Sequence, residues 1–138
     1  MSTSPADFNA RVIEEFRANG GRVGGPFDGM SLLLLHHNGA RSGSSRVNPL
    51  AYQRDGDRYV VFASKAGAPT NPAWYHNLKA EPNVTIEVGT ETIPVVASEA
   101  SGDERDRLYA TQKKLVPSFA DYEQKTDRVI PVIVLTPA

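Results

Sequence analysis

Residues 31–64 read SLLLLHHNGARSGSSRVNPLAYQRDGDRYVVFAS, and the fold is decided in this stretch. Four consecutive leucines at 32–35 predict a strand over 31–37 that is buried on both faces. The polar loop NGARSGSSR follows, and a second strand is expected over 46–54. Asp55 and Gly56 are a hairpin signal that turns the chain into a third strand over 58–64. Strands joined by turns this short pair antiparallel, because a parallel pair needs a long crossover connection.

Outward from this stretch the elements alternate without repeats or low-complexity linkers. Ser4, Pro5 and Asp7 read as N-cap, first helical position and capping-box acid, while Phe8, Val12, Ile13 and Phe16 share one helical face. An amphipathic helix over about 5–20 follows, stopped by Gly20 and Gly21. After the loop KAGAPT, Asn71 and Pro72 read as N-cap and first turn of a short helix that runs to about Lys79 and that Pro82 cannot continue. NVTIEV and ETIPVVAS are two further strands joined at Gly89 and Thr90. SGDE caps a helix over about 102–115, Pro117 breaks it, a helical turn follows around 118–125, and VIPVIVL closes the chain as a last strand. Six strands joined mostly by tight turns predict an α+β domain over residues 1–138: an antiparallel barrel or sandwich with helices over an end or one face.

Composition excludes several functions. The chain has 138 residues, enough for one domain with its own core. A net charge of -1 offers no basic field for nucleic acid or an anionic membrane, so any anion site must be local. The absence of cysteine removes disulfides, thiolate catalysis and zinc-thiolate sites. MSTSPADFNARVIEEF has no basic stretch followed by an apolar one, and no apolar run approaches a membrane span, so a soluble cytoplasmic protein is expected. His36, His37 and His76 show no ligand spacing, and no metal is expected. There is neither a GxSxG nucleophile nor a paired-carboxylate setting.

The loop after the first strand carries the chemistry. Its glycines can expose backbone N–H groups, Ser42, Ser44 and Ser45 add hydroxyls, and Arg41 and Arg46 add charge with a planar fork that suits phosphate or carboxylate. The same residues also describe a solvated hairpin, since the pattern is neither GxxxxGK[ST] nor GxGxxG.

Four spaced pieces resolve the choice. GARSGSSRVNPL at 39–50, DGDRYVVFAS at 55–64, NPAWYHNLKAEPNV at 71–84 and RVIPVIVL at 128–135 resemble, in this order, the deazaflavin-dependent nitroreductase family of actinobacteria, oxidoreductases that use coenzyme F420. Each piece alone is weak; the ordered set is specific. The resemblance implies a split β-barrel of the kind that binds flavin mononucleotide, in agreement with the six strands.

It also implies a site. The first loop would grip the phosphate and acidic tail of F420 through Arg41, Ser42, Gly43 and Arg46, with Pro49 and Leu50 beside the ring system. Ser64, Lys65, Ala66 and Gly67 match the segment that approaches the phosphate and deazaflavin, and Pro72, Trp74 and Asn77 match the helix that closes over the cofactor. Many members carry two basic residues before the serine, whereas this chain has Ala40 at the first, which implies lower tail affinity or a different preferred tail length. Trp74, with Leu78 four residues on, also reads as a core residue. Phe119 and Tyr122 match the aromatic lid of the acceptor pocket, and packing of their turn against the barrel is the alternative; Tyr52 and Tyr75 are weaker candidates of the same kind.

The implied activity is hydride transfer from reduced F420 to a small electron-poor acceptor such as a quinone, enone or nitro compound. Such chemistry needs positioning and exclusion of water more than a catalytic side chain. A flavin-mononucleotide enzyme of the same fold and a non-catalytic F420 carrier are the alternatives. Related barrels are often dimers, and no segment of this chain marks an interface.

Overall fold

The computed structural model describes residues 5–24, 31–40, 43–64 and 70–138. Helix α1 spans Pro5–Ala18, followed by β1 (Leu32–Asn38), β2 (Ser45–Ala51), β3 (Gln53–Asp55) and β4 (Arg58–Phe62). Then come α2 (Ala73–Ala80), β5 (Asn83–Val88), β6 (Glu91–Glu99), α3 (Gly102–Leu115), α4 (Ser118–Lys125) and β7 (Val132–Pro137). All strands belong to one sheet of order β2-β1-β5-β6-β7-β4-β3, and every pairing is antiparallel.

The two outermost strands are halves of one segment. The expected strand over 46–54 breaks at Tyr52, so that β2 pairs with β1 and β3 pairs with β4. The chain therefore crosses from one edge of the sheet to the other through a single residue, and the sheet curls into a split barrel. Six predicted strands become seven among the described residues for this reason. Pro49 is tolerated because β2 pairs on one side only, where its missing N–H costs no ladder bond.

Alternation along β1 divides the core. Leu33 and Leu35 point into the barrel with Val61, Ile86, Ile133 and Leu135, while Leu32 and Leu34 pack outward under Val12, Phe16 and Val23. All four leucines are buried, each contributing about 1.5–3 kcal/mol by transfer from water. On a second outer face, Val60, Phe62, Val132 and Val134 lie beneath Leu108 and Tyr109 of α3 and Phe119 of α4. Gln53 of β3 is buried there and donates to Leu108 O (3.1 Å) and Gln112 Oε1 (3.3 Å).

Several local expectations need correction. The turn after Asp55 is Gly56–Asp57, since Asp55 itself pairs with Arg58. The last strand begins at Val132 rather than Val129, whose side chain is 75% exposed. Ser101 precedes α3 but makes no side-chain capping bond. Asn71 does not cap α2 either: the residue before that helix is Pro72, and the Asn71 amide is engaged elsewhere. Arg105 is not on a purely solvated face, because its guanidinium donates to Ile130 O at 3.2 and 2.8 Å and stacks on Tyr109. Ser4 and the side chains of Asp7 and Phe8 lie outside the described residues.

At α1's end, Gly21 has φ of 100°, and a Cβ there would stand 2.8 Å from Gly89 Cα. Only glycine permits the β5–β6 turn to approach this closely. Arg17 of α1 further holds Glu87 of β5 through two bonds of 3.2 and 2.7 Å. Among the described residues, no helix is long and apolar enough to cross a membrane.

Candidate functional site

The register places the ends of β1, β4 and β6 and the starts of β2, β5 and β7 at one end of the barrel. The β1–β2 hairpin and α2 meet there. Asn38 pairs with Ser45, and the loop between them is closed by Gly43 N–H to Gly39 O (2.8 Å) and Gly39 N–H to Ser44 O (2.9 Å). Gly43 takes φ of 69°, the left-handed conformation that glycine adopts without strain.

Helix α2 presents Trp74, Asn77 and Leu78 to the barrel, the spacing of one helical face. Trp74 and Leu78 join the interior cluster with Leu33 and Leu35, so the indole is core. Asn77, between them, is 5% exposed and spends both ends of its amide on the protein. Its Oδ1 accepts from Ala40 N–H at 2.9 Å, and its Nδ2 donates to His37 Nδ1 at 3.0 Å. His37 Nε2 in turn bonds Asn48 Oδ1 at 2.6 Å.

This chain assigns the histidine's state. Nδ1 accepts and Nε2 carries the proton, which is the neutral ring. Burial holds the His37 pKa below its ordinary value, opposed by the Asn48 bond and assisted by the nearby Arg46 and His36 charges. The hairpin is thus tied to α2 through buried neutral groups.

These bonds change the expected role of the loop backbone. The amides of Gly39, Ala40 and Gly43 all donate within the protein, so they are not an open cradle for an oxyanion. Arg46 lies opposite His37, is exposed, and makes no ion pair among the described residues. Arg41 and Ser42 lie outside the described residues.

Strand alternation sorts the other β2 candidates. Arg46, Asn48 and Leu50 stand opposite His37, Leu35 and Leu33 and share the inward face, whereas Pro49 stands opposite Leu34 and faces the α1 side. Leu50 and Pro49 therefore do not flank one ligand from the same face.

The second wall begins where β4 ends. Ser64 is buried, and Lys65, Ala66 and Gly67 lie outside the described residues. Arg128 reaches this point from the α4–β7 connection. Its Nη1 donates to Ala63 O (3.0 Å) and Asn71 Oδ1 (2.8 Å), and its Nη2 donates to Ser64 O (2.7 Å). Burial pulls its pKa below the ordinary arginine value. Pro72, also buried, follows Asn71 directly into α2.

The aromatic pair divides in two. Phe119 is 6% exposed and packs edge-on against Phe62 at 5.6 Å and Tyr109 at 6.2 Å. Tyr109 donates its hydroxyl to Phe119 O at 2.7 Å, and burial pushes its pKa up to about 12, so the donor persists across the usable pH range. Tyr122 is half-buried and touches Phe119 at 5.2 Å. Phe119 therefore belongs to the packed interior, whereas Tyr122 keeps part of its surface toward solvent.

Sequence reasoning missed His37, Asn48 and Arg128. Their partners are distant in the chain and carry no spacing signal, as is true of His36, whose Nε2 lies 2.6 Å from Glu87 Oε2 on the α1 side. Tyr75 is likewise structural, donating to Glu99 Oε1 at 2.8 Å. A polar cleft of about 560 Å³ opens at the opposite end of the barrel, beside Gly21, Tyr52, Arg54, Tyr59 and Gly89. Two arginines line it: Arg22, which is exposed, and Arg54, which spends its donors on Gly56 O and the Tyr59 hydroxyl.

The sequence matches the family model described as F420H(2)-dependent quinone reductase over residues 10–137. It is 41% identical over 127 residues to the F420H(2)-dependent quinone reductase Rv1261c of Mycobacterium tuberculosis, covering 88% of this chain and 84% of that protein. Among solved structures it is similar to an F420-H2 dependent reductase, FDR-A, at 37% identity and a TM-score of 0.70, covering 75% of this chain and 92% of that one. A domain-swapped dimer is similar at 33% identity and a TM-score of 0.72, over 96% of this chain and 99% of that one.

Proposed function

The chain belongs to the F420H(2)-dependent quinone reductase family, and from this premise we propose that the hairpin end of its barrel binds F420 and presents it to a quinone. It is an F420-dependent reductase. The broader nitroreductase-like resemblance narrows to this family, and nitro compounds become secondary acceptors. The observation that carries the assignment of the site is Arg46, an exposed guanidinium with no ion pair among the described residues, beside a hairpin that Asn77 holds in place.

The residues present suit the cofactor. Its phosphate and acidic tail need cations at the surface, which Arg46 supplies, with Arg41 proposed beside it. Its ring needs an apolar wall, which Leu50 offers from β2. When bound, reduced F420 supplies the hydride itself. The protein's share is to orient and to exclude water, and it needs no nucleophile for that. Ser64 and Pro72 bracket the segment proposed to run along the ring, with Gly43, Ser42, Lys65, Ala66 and Gly67 completing the contacts. Tyr122 is proposed to line the acceptor side. Trp74, Asn77 and Phe119 act on the site from the core.

Titration with F420 and flavin mononucleotide in parallel, followed by Trp74 fluorescence and cofactor absorbance, tests this reading. Saturable F420 binding together with oxidation of reduced F420 by a quinone is expected. Binding of flavin mononucleotide alone would replace the cofactor, and F420 binding without turnover of any quinone would make the protein a carrier. A homodimer is part of the proposal, supported by the domain-swapped relative, and light scattering at several concentrations checks it.

A further inference from the structure

We propose that Arg128 is a positioning residue of the cofactor site, holding the end of β4 and the entry to α2 in the relation that F420 binding requires. This rests on the functional reading above. Its three acceptors lie on two separate stretches: the carbonyls of Ala63 and Ser64 leave β4, and Asn71 Oδ1 leads through Pro72 into α2. A planar fork can span such a pair of stretches, whereas a lysine ammonium presents its donors from one point. The Asn71 amide, expected to cap α2, is drawn instead to Arg128.

The connection runs further in both directions. Through α2, Asn71 lies six residues before Asn77, which fixes the hairpin that carries Arg46. Arg128 also follows closely on α4, the helix of Tyr122, and its own N–H donates to Thr126 Oγ1 at 3.3 Å. One guanidinium thereby joins the connection that follows α4 to the end of β4 and the entry to α2.

Arg105 is a built-in control. It makes guanidinium-to-carbonyl bonds on the same connection, to Ile130 O, but touches neither Ser64 nor Asn71. The experiment compares F420 dissociation constants and thermal midpoints of wild type, Arg128→Ala, Arg128→Lys and Arg105→Ala, each measured where it is fully folded. Arg128→Ala should weaken F420 by about tenfold or more, Arg128→Lys by an intermediate factor, and Arg105→Ala should lower the midpoint with an unchanged dissociation constant. Equal weakening by Arg105→Ala and Arg128→Ala would overturn the positioning role, leaving only a structural one. So would wild-type affinity in Arg128→Ala or, should that variant not fold, in Arg128→Lys. Failure of wild type itself to bind F420 would overturn the functional reading and this role with it.

Discussion

Asn77 Nδ2 donates to His37 Nδ1 at 3.0 Å across 40 positions of sequence, and the other end of the same amide accepts from Ala40 N–H. One buried side chain thus links α2, the last turn of β1 and the hairpin that leads to Arg46. The shape of the hairpin thus depends on buried bonds made within the protein.

Asn77→Ala leaves the Ala40 N–H and the His37 ring nitrogen without their partner. A buried polar group stripped of its bond costs roughly 1–3 kcal/mol, so the thermal midpoint should fall by several degrees. F420 affinity should fall too, because the hairpin loses its tether. Denaturation and cofactor titration of the variant check both effects; an unchanged affinity would confine Asn77 to a purely structural role.

The pH dependence has a defined sign. Burial lowers the His37 pKa in the folded state from its ordinary 6.5, so the folded protein binds fewer protons there than the unfolded chain. The stabilisation is fully present above pH 6.5 and is lost as pH falls through the lowered folded-state value. A proton on Nδ1 would face the Asn77 NH₂ group, opposing donor to donor. Thermal midpoints between pH 7 and pH 4 should therefore fall more steeply for wild type than for His37→Gln, and parallel curves would remove His37 as the cause.

Arg46→Ala tests the anion grip. A hydrogen bond to a charged group is worth about 1.5–3 kcal/mol, which corresponds to a tenfold to hundredfold loss of F420 affinity. Stability should stay within about 0.5 kcal/mol because the side chain is exposed. Rising salt should erode wild-type affinity more than that of the variant.

Phe119 and Tyr122 should separate cleanly. Phe119→Ala opens a hole among Phe62, Tyr109 and the β-sheet and should cost about 3–5 kcal/mol. Tyr122→Ala should leave the midpoint nearly unchanged and raise the KM for quinone. A stability loss in Tyr122→Ala as large as that in Phe119→Ala would assign both to packing.

The barrel was legible because its signals are local. Four leucines in a row can be satisfied only by burial on two faces, and the turns at Gly56 and Gly89 limit how the strands can pair. The break at Tyr52 was not legible: nothing in PLAYQRD announces a switch of partners, which arises because one strand must serve both edges of a curled sheet. The caps failed for a related reason. Asn71 has the right side chain before a helix, but a half-buried guanidinium competes for its oxygen and wins.

The sequence by itself determined the antiparallel α+β barrel, the place of the loop and its arginines, and the family, since each is written in contiguous residues or in their order. Only the tertiary structure decided which candidates face one another. It turned Pro49 from Leu50, committed Trp74 and Phe119 to the core, tied Asn77 to the β1–β2 hairpin and tied Arg128 to Ser64 and Asn71. Hydrogen bonds between residues 40 to 65 positions apart depend on the curled path of the sheet, and no short-range pattern encodes that path.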